Sequence, residues 1–121
     1  MPRPILDERY IHPAIRSLVE TNQQAIVQEV MAAIKSNDVV VVGMGLNPFP
    51  KQACKTLDSI QQPYKYLEYG NYFNSWRKRN ALKMWTGWPT FPMVFVKGTL
   101  VGGANDLKKL IATGEFKKLL A

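Results

Sequence analysis

Four consecutive valines, Val39 to Val42, stand between Asp38 and Gly43. A β-branched run with no polar residue alternating through it reads as a short strand covered on both faces. A chain built around it must therefore place helices on both sides of a sheet. The following stretch, "GMGLNPFPKQACKTLDSI", supplies one helix at once. Asn47 is a favourable N-cap, and Pro48 suits the first helical position, where its missing N–H has no intrahelical partner to lose. Ala53, Leu57 and Ile60 then form the core face of that helix.

Upstream, Ser17-x-x-Glu20 has the form of a capping box, and Ile26, Val30 and Ile34 recur at helical spacing, which predicts a helix closing near Asn37. Downstream, "PYKYLEYG" reads as a second strand turning at Gly70-Asn71, followed by a helix from about Tyr72 to Trp85. "TFPMVFVKGTLVGG" carries two β-rich runs joined at Lys97-Gly98, the signature of a hairpin. Leu107, Leu110 and Ile111 mark a closing helix, and "GEFKKLL" a short terminal one. The order helix, β, α, β, α, β, β, α predicts an α/β domain with a mixed four-stranded sheet and helices on both faces. The crossover rule brings the N-terminus of the Pro48 helix to the carboxyl edge of that sheet, where ligands collect.

At 121 residues the chain suits one domain with one core and is too short for two. Residues 1–21 read as an N-terminal extension and 22–121 as the domain. The prolines of the extension, with Ile5, Tyr10 and Ile11, suggest a strap over the domain or a homodimer contact. No run approaches the ~20 apolar residues of a membrane span, and "MPRPILDERY" lacks the apolar centre of a secretory signal; the expectation is a soluble, cytoplasmic protein without membrane partners. The lone Cys54 cannot form an intramolecular disulfide or a multi-cysteine metal site. His12 reads as a surface or capping side chain beside Pro13.

The net charge is +7. Arg3, Arg9, Arg16 and Lys35 are balanced by Asp7, Glu8, Glu20 and Glu29, so the whole excess lies beyond residue 37 and favours anionic ligands or partners. Arg77 to Arg79 with Tyr72, Phe73, Trp76 and Trp85 nearby raises nucleic acid as a partner. Phe73, Trp76 and Leu82 share one helical stripe, however, and such a stripe more often faces a core. Nucleic acid therefore ranks below small anions and acidic proteins.

"WPTFPMVFVKGTLVGGANDL", Trp88 to Leu107, resembles the glutaredoxin pattern of Thr-x-Pro, hairpin, then Gly-Gly-x-Asp-Asp, with Trp88 to Pro92 in the form typical of monothiol members. "VVVVGMGLNPFPKQACKTL" resembles the segment carrying Cys-Pro-Tyr-Cys in dithiol members. The similarity covers roughly residues 22 to 120 and implies a thioredoxin-like fold. By the same resemblance Asn47 stands at the position of the nucleophilic cysteine, and Pro50 at that of the second cysteine or serine. An active member uses the helix N-terminus to favour a thiolate; an asparagine amide cannot form a mixed disulfide, so the loop carries no thiol exchange. Cys54 lies seven residues beyond Asn47, roughly 10 Å along the helix axis. Beside core positions Ala53 and Leu57, it reads as a small buried hydrophobe with a raised pKa.

The resemblance also implies a cluster site built on the first active-site cysteine and glutathione, and Asn47 is no substitute for thiolate toward iron. No metal and no iron-sulfur cluster are expected. It further implies a glutathione groove. Arg79 pairs the glycine carboxylate, and Phe91-Pro92, with a cis bond, present a strand edge to the peptide. Ala104 and Asn105 receive the γ-glutamyl end, and Phe49 is the loop aromatic. Met44 stands where a lysine usually precedes the cysteine, and Asn105 where the first of two aspartates stands, leaving Asp106. Each change removes a charged partner worth about 1.5–3 kcal/mol, which predicts weakened affinity. The leading expectation is a redox-homeostasis relative that binds glutathione or a glutathionylated peptide weakly, without catalysis. The alternative is an interaction module whose basic face, around Arg77 to Arg79 and Lys108-Lys109, docks an acidic partner.

Overall fold

A computed structural model of the chain describes residues 3–21, 23–70 and 75–121. The valine run forms β1 (Val39–Gly43), with all five residues buried. It pairs in parallel with β2 (Lys65–Glu68) and antiparallel with β3 (Met93–Val96), which pairs antiparallel with β4 (Thr99–Gly102). The sheet order is β2-β1-β3-β4, so the two most apolar strands occupy its centre.

Strand alternation divides the interior between two layers. Val40, Val42, Met93 and Phe95 face Ile26 and Val30 of α2 (Gln24–Ser36), and Ala81 and Leu82 of α4 (Trp76–Thr86). Val39, Val41, Val94 and Val96 face the opposite layer. There they meet α3 (Pro48–Ser59) through Ala53 and Leu57, α5 (Ala104–Ala112) through Leu107, and α6 (Glu115–Leu120) through Phe116. Each fully buried valine or leucine contributes about 1.5–3 kcal/mol, so this double-sided burial explains why the run carries no polar residue. The fold is thioredoxin-like, a mixed four-stranded sheet with helices on both faces.

Turn chemistry follows the residues. Lys97 and Gly98 both take positive φ, 51° and 80°, the conformation of a tight two-residue hairpin turn. The Lys97 backbone N–H also donates to the Asp38 carbonyl at 2.7 Å, and its ammonium lies 3.2 Å from Asp38 Oδ1, fastening the hairpin to the start of β1. At the other end of β1, Gly43 admits the ring of Pro50: a Cβ on Gly43 would lie 2.7 Å from the Pro50 Cβ. Pro50 is fully buried there.

Several details differ from the sequence reading. Ser17 lies inside a helix of its own, α1 (Pro13–Thr21), and not at a helix start; at that start the preceding His12 Nδ1 accepts the Ala14 N–H at 3.0 Å. The break before α2 is a left-handed Gln23, φ 51°. Ile60 falls past the end of α3 and is 42 % exposed, where a core position was expected. Trp76 is exposed while Leu82 is buried, so the two do not share a buried stripe. The expected start of α4 at Tyr72, Phe73 within that stripe, and Asn71 of the turn lie outside the described residues.

Residues before α2 lie in part against α4. The Arg3 guanidinium sits where a Cβ on Gly87 would project, 2.9 Å from Cζ, beside the C-terminal end of α4, a favourable place for a cation. A depression of about 740 Å³ runs between Ile15, Leu18 and Val19 of α1, Val27 of α2, and Met84 and Trp85 of α4. Among the described residues, no helix is long and apolar enough to cross a membrane.

Candidate functional site

The parallel β1–α3–β2 crossover sets the N-terminus of α3 at the carboxyl end of β1, beside the turn that enters β3. Asn47 stands at this junction and uses both ends of its amide. Oδ1 accepts the Phe49 N–H at 3.0 Å, closing the first turn of α3 as an N-cap. Nδ2 donates to the Phe91 carbonyl at 3.5 Å, a long bond that ties the helix start to the Phe91-Pro92 turn. That peptide bond is cis.

Two depressions meet here, sharing Phe49, Thr90 and Phe91 in their walls. The first, about 240 Å³, runs past Trp88 and Pro92 to Gly103, Ala104, Asn105 and Asp106 at the start of α5. Asp106 reaches back to accept the Gly103 N–H at 2.9 Å, so its carboxylate is engaged in holding that turn. The Nε1 of Trp88 is buried without a hydrogen-bond partner. The second depression, about 290 Å³, runs the other way, past Asn47 and Pro48 to Met44, Pro89 and Lys83. The Lys83 ammonium lies 5.8 Å from the centre of the Phe91 ring.

A glutaredoxin family model matches residues 47–101, and the match opens on Asn47. The chain is 43 % identical over 100 residues to the glutaredoxin-like protein of Dictyostelium discoideum, covering 83 % of this chain and 81 % of the relative. The chain belongs to the glutaredoxin family. It is a glutaredoxin-family redox protein, also similar to the probable monothiol glutaredoxin 2 of Rickettsia typhi, 35 % identical over 92 residues, with 73 % of this chain and 81 % of that one covered. Oxidized glutaredoxin 2 of Chlamydomonas reinhardtii has a similar fold, with a TM-score of 0.69, 28 % identity, and 82 % and 94 % of the two chains covered. The buckwheat glutaredoxin-glutathione complex matches in fold at TM-score 0.71 and 23 % identity, covering 84 % and 92 %.

Within this glutaredoxin-family frame the structure brings together Phe49, Phe91, Pro92, Ala104 and Asn105 along the first depression. It does not bring Arg79 there. Arg79 is 6 % exposed, its guanidinium donates to the Tyr69 carbonyl at 3.1 Å, and neither depression includes it. Trp88 and Thr90, read in the sequence only as part of the family motif, line the first depression, and Lys83, which the sequence reading did not name, lines the second. Lys83 is one helical turn beyond Arg79, and spacing alone cannot say which of two residues four apart reaches the loop.

Cys54 sits elsewhere, half-buried in a separate depression with Lys51, Lys55, Tyr64, Tyr66 and Glu68. Burial pushes its thiol pKa up; a hydrogen bond with Tyr64 works in the opposite direction, and the nearby Asp58 carboxylate adds to the rise. That environment disfavours the thiolate. The basic residues also part company. The exposed Arg77 and Lys78 ride on α4 and the exposed Lys108 and Lys109 on α5, and these helices cover opposite faces of the sheet.

Proposed function

We propose that this glutaredoxin-family protein recognises glutathione, or the glutathionyl arm of a modified protein, in the groove of Phe49, Phe91, Pro92, Ala104 and Asn105, and performs no thiol-disulfide exchange there. The observation that carries this reading is the double engagement of Asn47. Its amide caps α3 and bonds the Phe91 carbonyl, so the helix terminus that would activate a thiolate is satisfied by a group with no nucleophilic sulfur. Family membership supports the ligand class, and the groove, open past Phe91 to the start of α5, supports the shape.

The same residues do not fit an iron-sulfur cluster. A cluster needs thiolate ligands, and Cys54, the one cysteine of the chain, belongs to a different depression. Glutathione is held here as a ligand and not as a cluster ligand. Titration of the ¹⁵N-labelled protein with reduced glutathione tests the reading. Saturable shifts of the Phe91, Ala104 and Asn105 amides support it; their absence at millimolar ligand contradicts it.

A further inference from the structure

We infer that the trough between α1, α2 and α4 docks an acidic amphipathic helix of a partner protein. None of the residues lining this trough lines either depression of the glutathione groove. Ile15, Leu18 and Val19 fall at i, i+3 and i+4 of α1 and form one apolar wall. Met84 and Trp85 of α4 form the other, with Val27 of α2 between them. Ile15, Leu18, Val19 and Met84 are 48–67 % exposed, whereas Trp85 is backed by Phe95 of β3, the ring centroids 6.2 Å apart. An apolar concavity of about 740 Å³ with helical walls takes a further helix by its own i, i+3 and i+4 side chains.

Charge selects the occupant. The charged side chains described on the three helices are cationic except Glu29, whose carboxylate accepts the Tyr69 hydroxyl at 2.7 Å. Arg77 and Lys78 are exposed one turn before Ala81, on the side of α4 that borders the trough. The Arg3 guanidinium lies beside Gly87 at the other end of that helix. On α1, the Arg16 guanidinium meets the Glu8 and Ile11 carbonyls, at 3.3 and 3.4 Å, neutral acceptors that leave its charge in place. A second copy of the chain would bring these cations together, which like charges oppose. A bilayer takes up apolar side chains that protrude and not the floor of a hollow, and walls of isoleucine, leucine, valine and methionine give nucleobases no stacking platform. A helix with an apolar face and glutamate or aspartate along its flanks satisfies both the walls and the rim.

The probe is a synthetic helix of about 16 residues, leucine along one face and glutamate along both flanks, compared with the same peptide carrying lysine in place of glutamate. Titrated into the ¹⁵N-labelled full chain, the glutamate peptide is expected to shift the Leu18, Val27, Met84 and Trp85 amides saturably. It should bind about tenfold tighter than the lysine peptide, the combined effect of two or three exposed ion pairs. The double variant Arg77→Glu, Lys78→Glu reverses that preference, and Leu18→Asp removes binding of both peptides. Equal affinity for the two peptides, or no shift in the trough from either, overturns the proposal. A wild type that sediments as a dimer and becomes monomeric in Leu18→Asp also overturns it, by assigning the trough to a second copy. Cosedimentation with phosphatidylserine vesicles that Leu18→Asp abolishes overturns it in favour of a membrane surface.

Discussion

Replacing Arg79 by Met separates a residue that holds the fold from one that holds a ligand. The variant keeps an unbranched apolar stem of similar length and removes every donor. In the structure one of those donors, Nη1, serves the Tyr69 carbonyl at 3.1 Å from a site only 6 % exposed. Tyr69 is itself buried, and its hydroxyl donates to Glu29 Oε1 of α2 at 2.7 Å, so Arg79 belongs to a chain linking α4, the end of β2 and α2. A hydrogen bond from a charged donor contributes about 1.5–3 kcal/mol, and the carbonyl left behind is buried. The expected loss is therefore about 2–3 kcal/mol. With a urea dependence of about 1–3 kcal/mol per molar for a small domain, the unfolding midpoint should fall by roughly 1 M. Tryptophan fluorescence in urea measures it, and a parallel glutathione titration of the folded variant should show affinity unchanged. An unmoved midpoint together with lost glutathione binding would refute the reasoning, because it would mean that the guanidinium meets the ligand and not Tyr69.

Gly43→Ala should lower the melting temperature by several degrees, a loss of about 1–3 kcal/mol typical of an overfilled core, since its Cβ would stand 2.7 Å from the Pro50 ring and 2.9 Å from the Tyr66 hydroxyl; an unchanged calorimetric transition would mean that the ring is not fixed there. Leu46 is 65 % exposed and holds φ at 63°, a left-handed conformation that costs a side chain about 1 kcal/mol. Leu46→Gly should raise stability in urea by about 0.5–1 kcal/mol, and a loss would show that the leucine packs usefully. Cys54 should react with iodoacetamide at neutral pH more slowly than in the urea-unfolded chain, with the rate of the folded protein still climbing past pH 9.0, the thiol's ordinary pKa, where that of the unfolded chain levels off; equal rates would contradict the burial argument. Because the folded state holds that proton more tightly, its contribution to stability is full below pH 9.0 and lost as the pH rises past it.

Where the sequence could be read, one physical rule dominated. Val39 to Val42 required cover on both faces and received it, and Asn47 with Pro48 marked the start of α3 to the residue. Lys97-Gly98 set the hairpin turn for the same reason, since a short polar residue pair at positive φ is a local preference. Competing local signals defeated the reading elsewhere. The Ser17-x-x-Glu20 pattern matched a capping box, yet the stronger start lay at His12-Pro13 and the helix ran through Ser17. Ile60 kept the helical spacing of Ala53 and Leu57, but the helix ended before it. At the candidate site, Phe49, Phe91, Pro92, Ala104 and Asn105 were named from the family resemblance, and the structure places them along one depression. Arg79 and Lys83 were not separable in that way. Both are cations on one helix, and only the packing of α4 against the sheet decides which is buried.

The central claim is that the groove persists while the nucleophile does not. The most direct measurement is a glutathione-coupled disulfide reduction assay on the wild type and on Asn47→Cys, side by side at equal concentration. The account predicts no turnover by the wild type and clear turnover by the variant, whose thiol would sit at the N-terminus of α3 facing the Phe91 carbonyl. Turnover by the wild type would contradict the account, because the sulfur would have to come from Cys54; an inactive but folded Asn47→Cys protein would contradict the persistence of the groove.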